Sequence, residues 1–133
     1  MVAVALAYLF PGITFGPGAD CAVANEVVTS WRRPEPQPTP EEIEAARLPA
    51  AKALRIEADR DECQRRIYAV WPAARQVSLA LGEVYTAADR ADCVAWINAN
   101  VDASNDARNL ILAAQTVTAV NAVTVAWPTY AGG

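Results

Sequence analysis

A stretch of alternating prolines from Arg32 to Pro40 divides the chain into two parts with different sequence patterns. Proline has no amide donor and a restricted φ, so alternating prolines favour an extended polyproline II spacer. The spacer ends in a helix-start signal: Thr39 is a typical N-cap, Pro40 suits the first helical position, and Glu42 completes an S/T-x-x-E capping box. The sequence therefore predicts a proline-rich linker over residues 32–40.

The segment before the linker, residues 1–31, has the period-two pattern of β-strands. Bulky side chains alternate with small ones from Val2 to Phe10, which predicts a strand with one bulky face. A second β-rich run extends from Cys21 to Trp31, after turn material rich in Pro and Gly. The two runs predict a small antiparallel β unit. Because an isolated sheet of this size buries little apolar surface, we expect it to need a partner.

The segment after the linker, residues 41–133, has the three- and four-residue spacing of helices. One apolar stripe runs from Ile56 to Ala74, and a second runs from Val94 to Ile111. Two such helices predict an α-helical hairpin, so the fold class is α+β. The sequence further predicts breaks at Trp71-Pro72 and Leu81-Gly82, a helix start at Thr86, a short helix at 117–121 and a short extended C-terminal segment.

The composition argues against several classes of function. The chain has no histidine, a single lysine (Lys52) and a formal net charge of −4. It therefore lacks the commonest metal ligand and general base, and it lacks the cationic surface that nucleic acid requires. The acidic residues at positions 57–62 are interleaved with arginines at helical spacing, which is typical of a solvated helix face. We expect no enzyme, no cofactor, no metal site and no nucleic-acid partner.

The apolar segment from Met1 to Phe10 is too short to cross a membrane as a helix, so we expect no membrane partner. A secretion signal would carry positive charge before its apolar run, and the first arginine is Arg32. A secreted or periplasmic binding domain is still an alternative interpretation, because Ala22-Val23-Ala24 resembles a cleavage site.

Three cysteines, Cys21, Cys63 and Cys93, have spacings that fit no zinc motif. In an antiparallel hairpin with its turn near residues 72–86, Cys63 and Cys93 lie at similar distances from the turn. A disulfide needs Cα atoms within about 7 Å, which facing helices provide only at their closest points. The sequence therefore predicts either a Cys63–Cys93 disulfide or two packed free thiols, and it leaves the state of Cys21 open.

The N-terminal segment carries the candidate partner-docking residues. Aromatic side chains dominate interface anchors, although the four tryptophans are also typical core residues. Addition of a strand to the sheet of another chain would use backbone hydrogen bonds, with alternate side chains filling pockets. The predicted docking residues are Val2, Val4, Leu6, Tyr8, Phe10 and Trp31.

The run from Val27 to Trp31, followed by P-E-P-Q-P-T-P-E-E-I at positions 34–43, resembles small tail proteins of tailed bacteriophages. In that class a β segment ends in tryptophan and is followed by a P-x-P-T-x-E-E-[IL] linker and then by helices. The stretch from Cys93 to Ile97 and the segment ending at Pro128 are also similar, so the resemblance covers residues 23–128. It implies a tail-fibre component or a fibre assembly protein, with no catalytic residues to carry over.

The resemblance and the small β unit together predict a non-enzymatic phage tail structural protein that docks on the tail fibre or baseplate. The alternative is a tail fibre assembly chaperone that binds the fibre only transiently. The expected partners are other phage tail proteins or further copies of the chain. The expected location is the virion tail, reached after assembly in the host cytoplasm.

Overall fold

The computed structural model describes residues 1–82 and 84–132, which are mostly helical with one small sheet. The predicted mixture of helices and antiparallel strands is confirmed, with helices in the majority. In chain order the elements are α1 (Val2–Leu9), β1 (Cys21–Ala24), β2 (Val27–Trp31), α2 (Pro40–Val70), α3 (Ala73–Leu81), α4 (Ala87–Ala113) and α5 (Val117–Ala122).

The strand predicted for residues 2–10 is wrong, because these residues form the helix α1. The buried positions of α1 are Val2, Ala5 and Leu6, a helical spacing that the alternation of bulky side chains did not reveal. Ala5 is fully buried, so a small side chain sets the approach of α1 to α2. Alanine also has the highest helix propensity, and both effects favour the helix over the strand.

The strands β1 and β2 form an antiparallel hairpin with a two-residue turn at Asn25 and Glu26. Both turn residues have positive φ, 51° and 62°, as a type I′ turn requires. The segment expected to be a β unit therefore consists of this hairpin with α1 beside it. The N-terminal core joins α1, the hairpin and the start of α2, and its buried residues are Val2, Ala5, Leu6, Ile13, Cys21, Ile43 and Ala46.

The proline-rich segment between β2 and α2 is held against the hairpin. The indole Nε1 of Trp31 donates a hydrogen bond to the backbone oxygen of Glu35 at 2.7 Å. Arg33 forms ion pairs with Asp20 at 3.3 Å and with Glu35 at 2.9 Å. Its guanidinium also lies 5.3 Å from the centre of the Phe10 ring. These contacts fix the course of the chain between β2 and α2.

The helix starts predicted at Thr39 and Thr86 and the helix ends predicted at Trp71 and Gly82 are confirmed. Thr39 accepts a hydrogen bond from the Glu42 amide at the start of α2, and Trp71 ends that helix. Gly82 ends α3 with a φ of 73°, a left-handed conformation that glycine adopts without strain. At the start of α4, Thr86 and Asp89 form a complete capping box. The short helix predicted at 117–121 is α5.

Helices α2 and α4 pack as an antiparallel pair, which we call the helical hairpin. From Lys52 to Trp71, side chains of each helix bond to groups of the other. Three hydrogen bonds define the register of the two helices. They join Trp71 to Asp92 at 3.1 Å, Trp96 to the backbone of Arg66 at 3.1 Å and Lys52 to the backbone of Leu112 at 2.7 Å.

The predicted Cys63–Cys93 disulfide is wrong, because all three cysteines are free and buried. The prediction placed the two helices symmetrically about their turn. However, α3 lies between the two helices in the sequence. The residue that ends α2, Trp71, therefore lies opposite Asp92, which is five residues beyond Ala87, the first residue of α4. This register places Cys63 opposite the region of Asn100, away from Cys93. The alternative of packed free thiols describes the structure.

Candidate docking surfaces

The C-terminal segment covers one side of the helical hairpin. This tail segment, residues 123–130, follows α5 without further helix or strand. Arg55 in α2 donates to the backbone oxygen of Val123 at 2.6 Å, and the Arg66 guanidinium lies 5.1 Å from the centre of the Trp127 ring. Tyr130 reaches α4, where its hydroxyl donates to Asp92 at 2.6 Å. The tail segment therefore runs parallel to α2 along the hairpin.

An aromatic cluster anchors the end of the tail segment. The rings of Tyr130 and Trp96 meet edge to face, with centroids 5.2 Å apart. Trp71 is almost fully buried beside them, and the Arg75 guanidinium stacks 3.9 Å above its ring. Such edge-to-face and cation–π contacts add to the area that these residues bury. The tail segment thus packs against the hairpin core through the partly buried Tyr130.

The opposite side of the helical hairpin is an open groove of about 370 Å³ between α2 and α4. Its apolar lining is formed by Cys63, Ile67, Ile97 and Val101. The remaining lining residues are Arg60, Gln64, Tyr68, Gln76, Ser104 and Asn105. We refer to these ten residues as the open groove.

A second apolar depression, of about 320 Å³, lies where α1 crosses α2. We call it the N-terminal surface. Within it the Tyr8 side chain is 47% exposed and the Leu54 side chain is 60% exposed. Exposure of large apolar groups next to one another is typical of a protein interaction site. Its residues are Val4, Ala7 and Tyr8 of α1 and Ala50, Ala53, Leu54 and Glu57 of α2.

The structure separates the six predicted docking residues. Val2 and Leu6 are buried in the N-terminal core, where Phe10 and Trp31 also pack with ring centroids 5.2 Å apart. Only Val4 and Tyr8 belong to the N-terminal surface. The predicted set therefore contains core residues as well as surface ones, because a strand with one bulky face was assumed.

Sequence reasoning missed the α2 side of the N-terminal surface. Ala50, Ala53, Leu54 and Glu57 have helical spacing and share one face of α2. This face lies beside the apolar stripe that starts at Ile56. Leu54 lies outside that stripe and is the sequence signal that pointed to a second apolar face.

The turn residue Glu26 joins the hairpin to the first turn of α1. Its Oε2 accepts a hydrogen bond from the Val2 amide at 2.7 Å, and its Oε1 pairs with the Met1 amine at 3.0 Å. The Val2 hydrogen bond is the main cause of the lowered pKa of Glu26, and the Met1 amine adds to it. A carboxylate at the N-terminal end of a helix is also attracted to the positive end of the helix dipole.

The described residues, 1–82 and 84–132, contain no group of histidine, cysteine or carboxylate side chains that could hold a metal ion. Burial raises the pKa of each of the three thiols, and a neighbouring carboxylate raises it further at Cys21 and Cys93. Thiols of this kind are poor nucleophiles at neutral pH, because the thiolate is the reactive form. None of the helices in the described part of the chain is long and apolar enough to cross a membrane.

Comparison with known families gives a match to the N-terminal part of the chain. The model of the XkdW protein family matches residues 2–55. XkdW is a phage-associated family, so the match supports a phage protein. The matched residues comprise α1, the β-hairpin, the linker and the first half of α2, and they include six of the seven residues of the N-terminal surface. No curated protein and no solved structure matches the chain.

Proposed function

We propose that this chain is a structural protein of a phage tail and that it acts without catalysis, by docking on another tail protein through its N-terminal surface. The observation that carries the proposal is the position of this exposed apolar surface inside the segment that matches a phage-associated family. The expected neighbour is a protein of the tail fibre or baseplate.

The chemistry of the N-terminal surface favours a protein partner. Tyr8 and Leu54 offer an aromatic ring and an aliphatic side chain next to each other, and Glu57 is the only charged residue of the surface. Tyrosine is one of the residues that supply most of the binding energy in protein interfaces, and neighbouring contacts exclude water around such an anchor. The three small alanines of the same surface allow a helix or strand of the neighbour to approach α1 and α2 closely. The neighbour should therefore present an apolar ridge.

The test measures incorporation of the protein into purified phage particles. A phage that lacks the gene is complemented with the wild-type chain, with Leu54→Asp or with Leu110→Asp, and the protein content of the particles is determined by quantitative mass spectrometry. Leu110 is a matched control, because its side chain is 59% exposed and lies on α4, outside the N-terminal surface. Loss of one interface anchor is expected to weaken binding by about 2 kcal/mol or more, about thirtyfold.

The expected result is incorporation of the wild-type and Leu110→Asp proteins and loss of the Leu54→Asp protein. Equal incorporation of all three would overturn docking through this surface. Absence of the wild-type protein from particles whose fibres nevertheless depend on it would show a tail fibre assembly chaperone and overturn the structural role. Circular dichroism of the purified variants checks that each one keeps its helical content.

A further inference from the structure

An antiparallel pair of helices has two grooves, and in this hairpin the chain itself fills one of them. The tail segment lies in the first groove with Trp127 and Tyr130 as anchors. The second is the open groove, whose apolar side chains include Val101, 38% exposed, and Tyr68, 43% exposed. Apolar residues on both sides of a helical hairpin are typical of a hairpin that is covered on both sides.

The accessible surface of the chain is large for its mass. A compact monomer of 14.2 kDa is expected to expose about 6,800 Å², whereas this chain exposes 8288 Å². The excess is about 1,500 Å², and a standard interface covers about 800 Å² of each partner. The excess is therefore of the size that two such interfaces would cover.

The polar residues of the open groove suit a second copy of the same chain. A two-fold interface brings a surface against itself, so the surface must be complementary to itself. Gln64, Gln76, Ser104 and Asn105 carry amide or hydroxyl groups, which both donate and accept hydrogen bonds. No carboxylate lines the groove. Although each copy carries a net negative charge, two copies that meet at the groove therefore bring no negative side chains of its lining together.

The one charged residue of the open groove, Arg60, also fits an antiparallel pair. Arg60 and Tyr68 lie eight residues apart on α2, a rise of about 12 Å along the helix. A two-fold axis that crosses α2 midway between them brings Arg60 of one copy to Tyr68 of the other. A guanidinium over an aromatic ring is attractive, whereas a parallel pair would bring the two Arg60 side chains together.

We infer that a second copy of this chain covers the open groove, with two helical hairpins packed antiparallel as a four-helix bundle. The apolar layer of this bundle consists of Ile67, Ile97 and Val101 from each copy. Arg60 and Tyr68 pair at both ends of the layer.

The experiment is sedimentation equilibrium of the full chain over a range of concentrations, for the wild type, Val101→Asp and Leu54→Asp. The aspartate of each copy would be buried without a partner in the apolar layer, so Val101→Asp should weaken the dimer at least about a hundredfold. Leu54→Asp should leave the dimer unchanged, because Leu54 belongs to the N-terminal surface. A second variant of the open groove, Tyr68→Ala, should weaken the dimer about tenfold through loss of the Arg60 contact.

A wild-type protein that stays monomeric at about 100 µM, well above the Kd of an interface of standard size, would overturn the inference. A dimer that Leu54→Asp dissociates and Val101→Asp leaves intact would also overturn it, since the copies would then meet through the N-terminal surface. The two variants also separate this inference from the proposed function, because each of them changes a different surface.

Discussion

The hydroxyl of Tyr130 donates a hydrogen bond to the carboxylate of Asp92 at 2.6 Å. The same Oδ2 of Asp92 accepts a hydrogen bond from Trp71 at 3.1 Å. One carboxylate therefore joins the end of α2, the first turns of α4 and the tail segment. Because these contacts lie far apart in the sequence, the tail segment can order only when the helical hairpin has formed.

Replacement Tyr130→Phe should lower the free energy of unfolding by about 1–2 kcal/mol, because it removes a hydrogen bond to a charged group while it keeps the ring contact with Trp96. Urea unfolding followed by circular dichroism measures the difference. Tyr8→Phe is the matched control, since the Tyr8 side chain is half exposed, and its effect should stay within about 0.5 kcal/mol. Equal effects of the two changes would contradict the anchoring role of Tyr130.

Replacement Glu26→Gln should remove a pH-dependent contribution to stability. The pKa of Glu26 is lowered in the folded chain by the Val2 hydrogen bond and the Met1 amine, relative to an ordinary value of 4.5. A carboxyl group with a lowered folded-state pKa stabilises the fold above its unfolded pKa. This contribution is lost as pH falls through the folded-state pKa.

The difference in stability between wild type and Glu26→Gln should therefore be constant near neutral pH and should shrink below about pH 4.5. Urea unfolding at a series of pH values measures it. Asp61→Asn changes an exposed carboxyl on α2 and serves as the control. A difference that does not change with pH would show that the carboxylate of Glu26 does not hold α1.

Replacement Asn100→Leu should raise the free energy of unfolding. Asn100 is fully buried in α4, and its Nδ2 donates to the backbone oxygen of Trp96 at 2.9 Å. Among residues 1–82 and 84–132, no group is placed to donate a hydrogen bond to its Oδ1. A buried acceptor without a partner costs about 1–3 kcal/mol, so an apolar side chain of similar size should stabilise the hairpin by about 1–2 kcal/mol.

Thermal and urea unfolding of Asn100→Leu measure this gain. Asn98→Leu is the matched control, since Asn98 lies on the exposed side of the same helix and should change stability by less than about 0.5 kcal/mol. A loss of stability in Asn100→Leu would contradict the prediction, because the hydrogen bond of Asn100 to Trp96 would then contribute more than the unpaired oxygen costs. It would also make Asn100 a residue that fixes the register of α2 and α4.

The three cysteines should react slowly with iodoacetamide in the folded protein and quickly in urea. All three are free and buried, and burial raises the pKa of each thiol, so both access and thiolate population are reduced. Mass spectrometry without reductant should show three alkylated thiols after unfolding. A product with only one alkylated thiol would show that the other two cysteines form a disulfide.

Local signals in the sequence predicted the boundaries of the long helices well. Thr39, Thr86 and Gly82 act through bonds within a few residues of themselves, so their effect does not depend on the rest of the fold. The break at Trp71-Pro72 has the same local character, because proline constrains the residue before it.

The errors concern features that depend on distant parts of the chain. Whether residues 2–10 form a strand or a helix is decided by contact with α2, where Ala5 is buried together with Val2 and Leu6. The state of Cys63 and Cys93 depends on the register of the helical hairpin, which the insertion of α3 shifts. The open groove could not be predicted, because the tail segment covers only one of two similar sides.

The helix α2 is continuous over 31 residues, although Pro49 lies within it, and it takes part in both the N-terminal core and the helical hairpin. At 1.5 Å per residue its length is about 46 Å. A neighbour bound at Leu54 and a copy bound at Val101 would therefore be attached to one rigid body. A force on either of these bound proteins would act along α2. The chain would therefore transmit tension between the two proteins and hold them at a constant spacing.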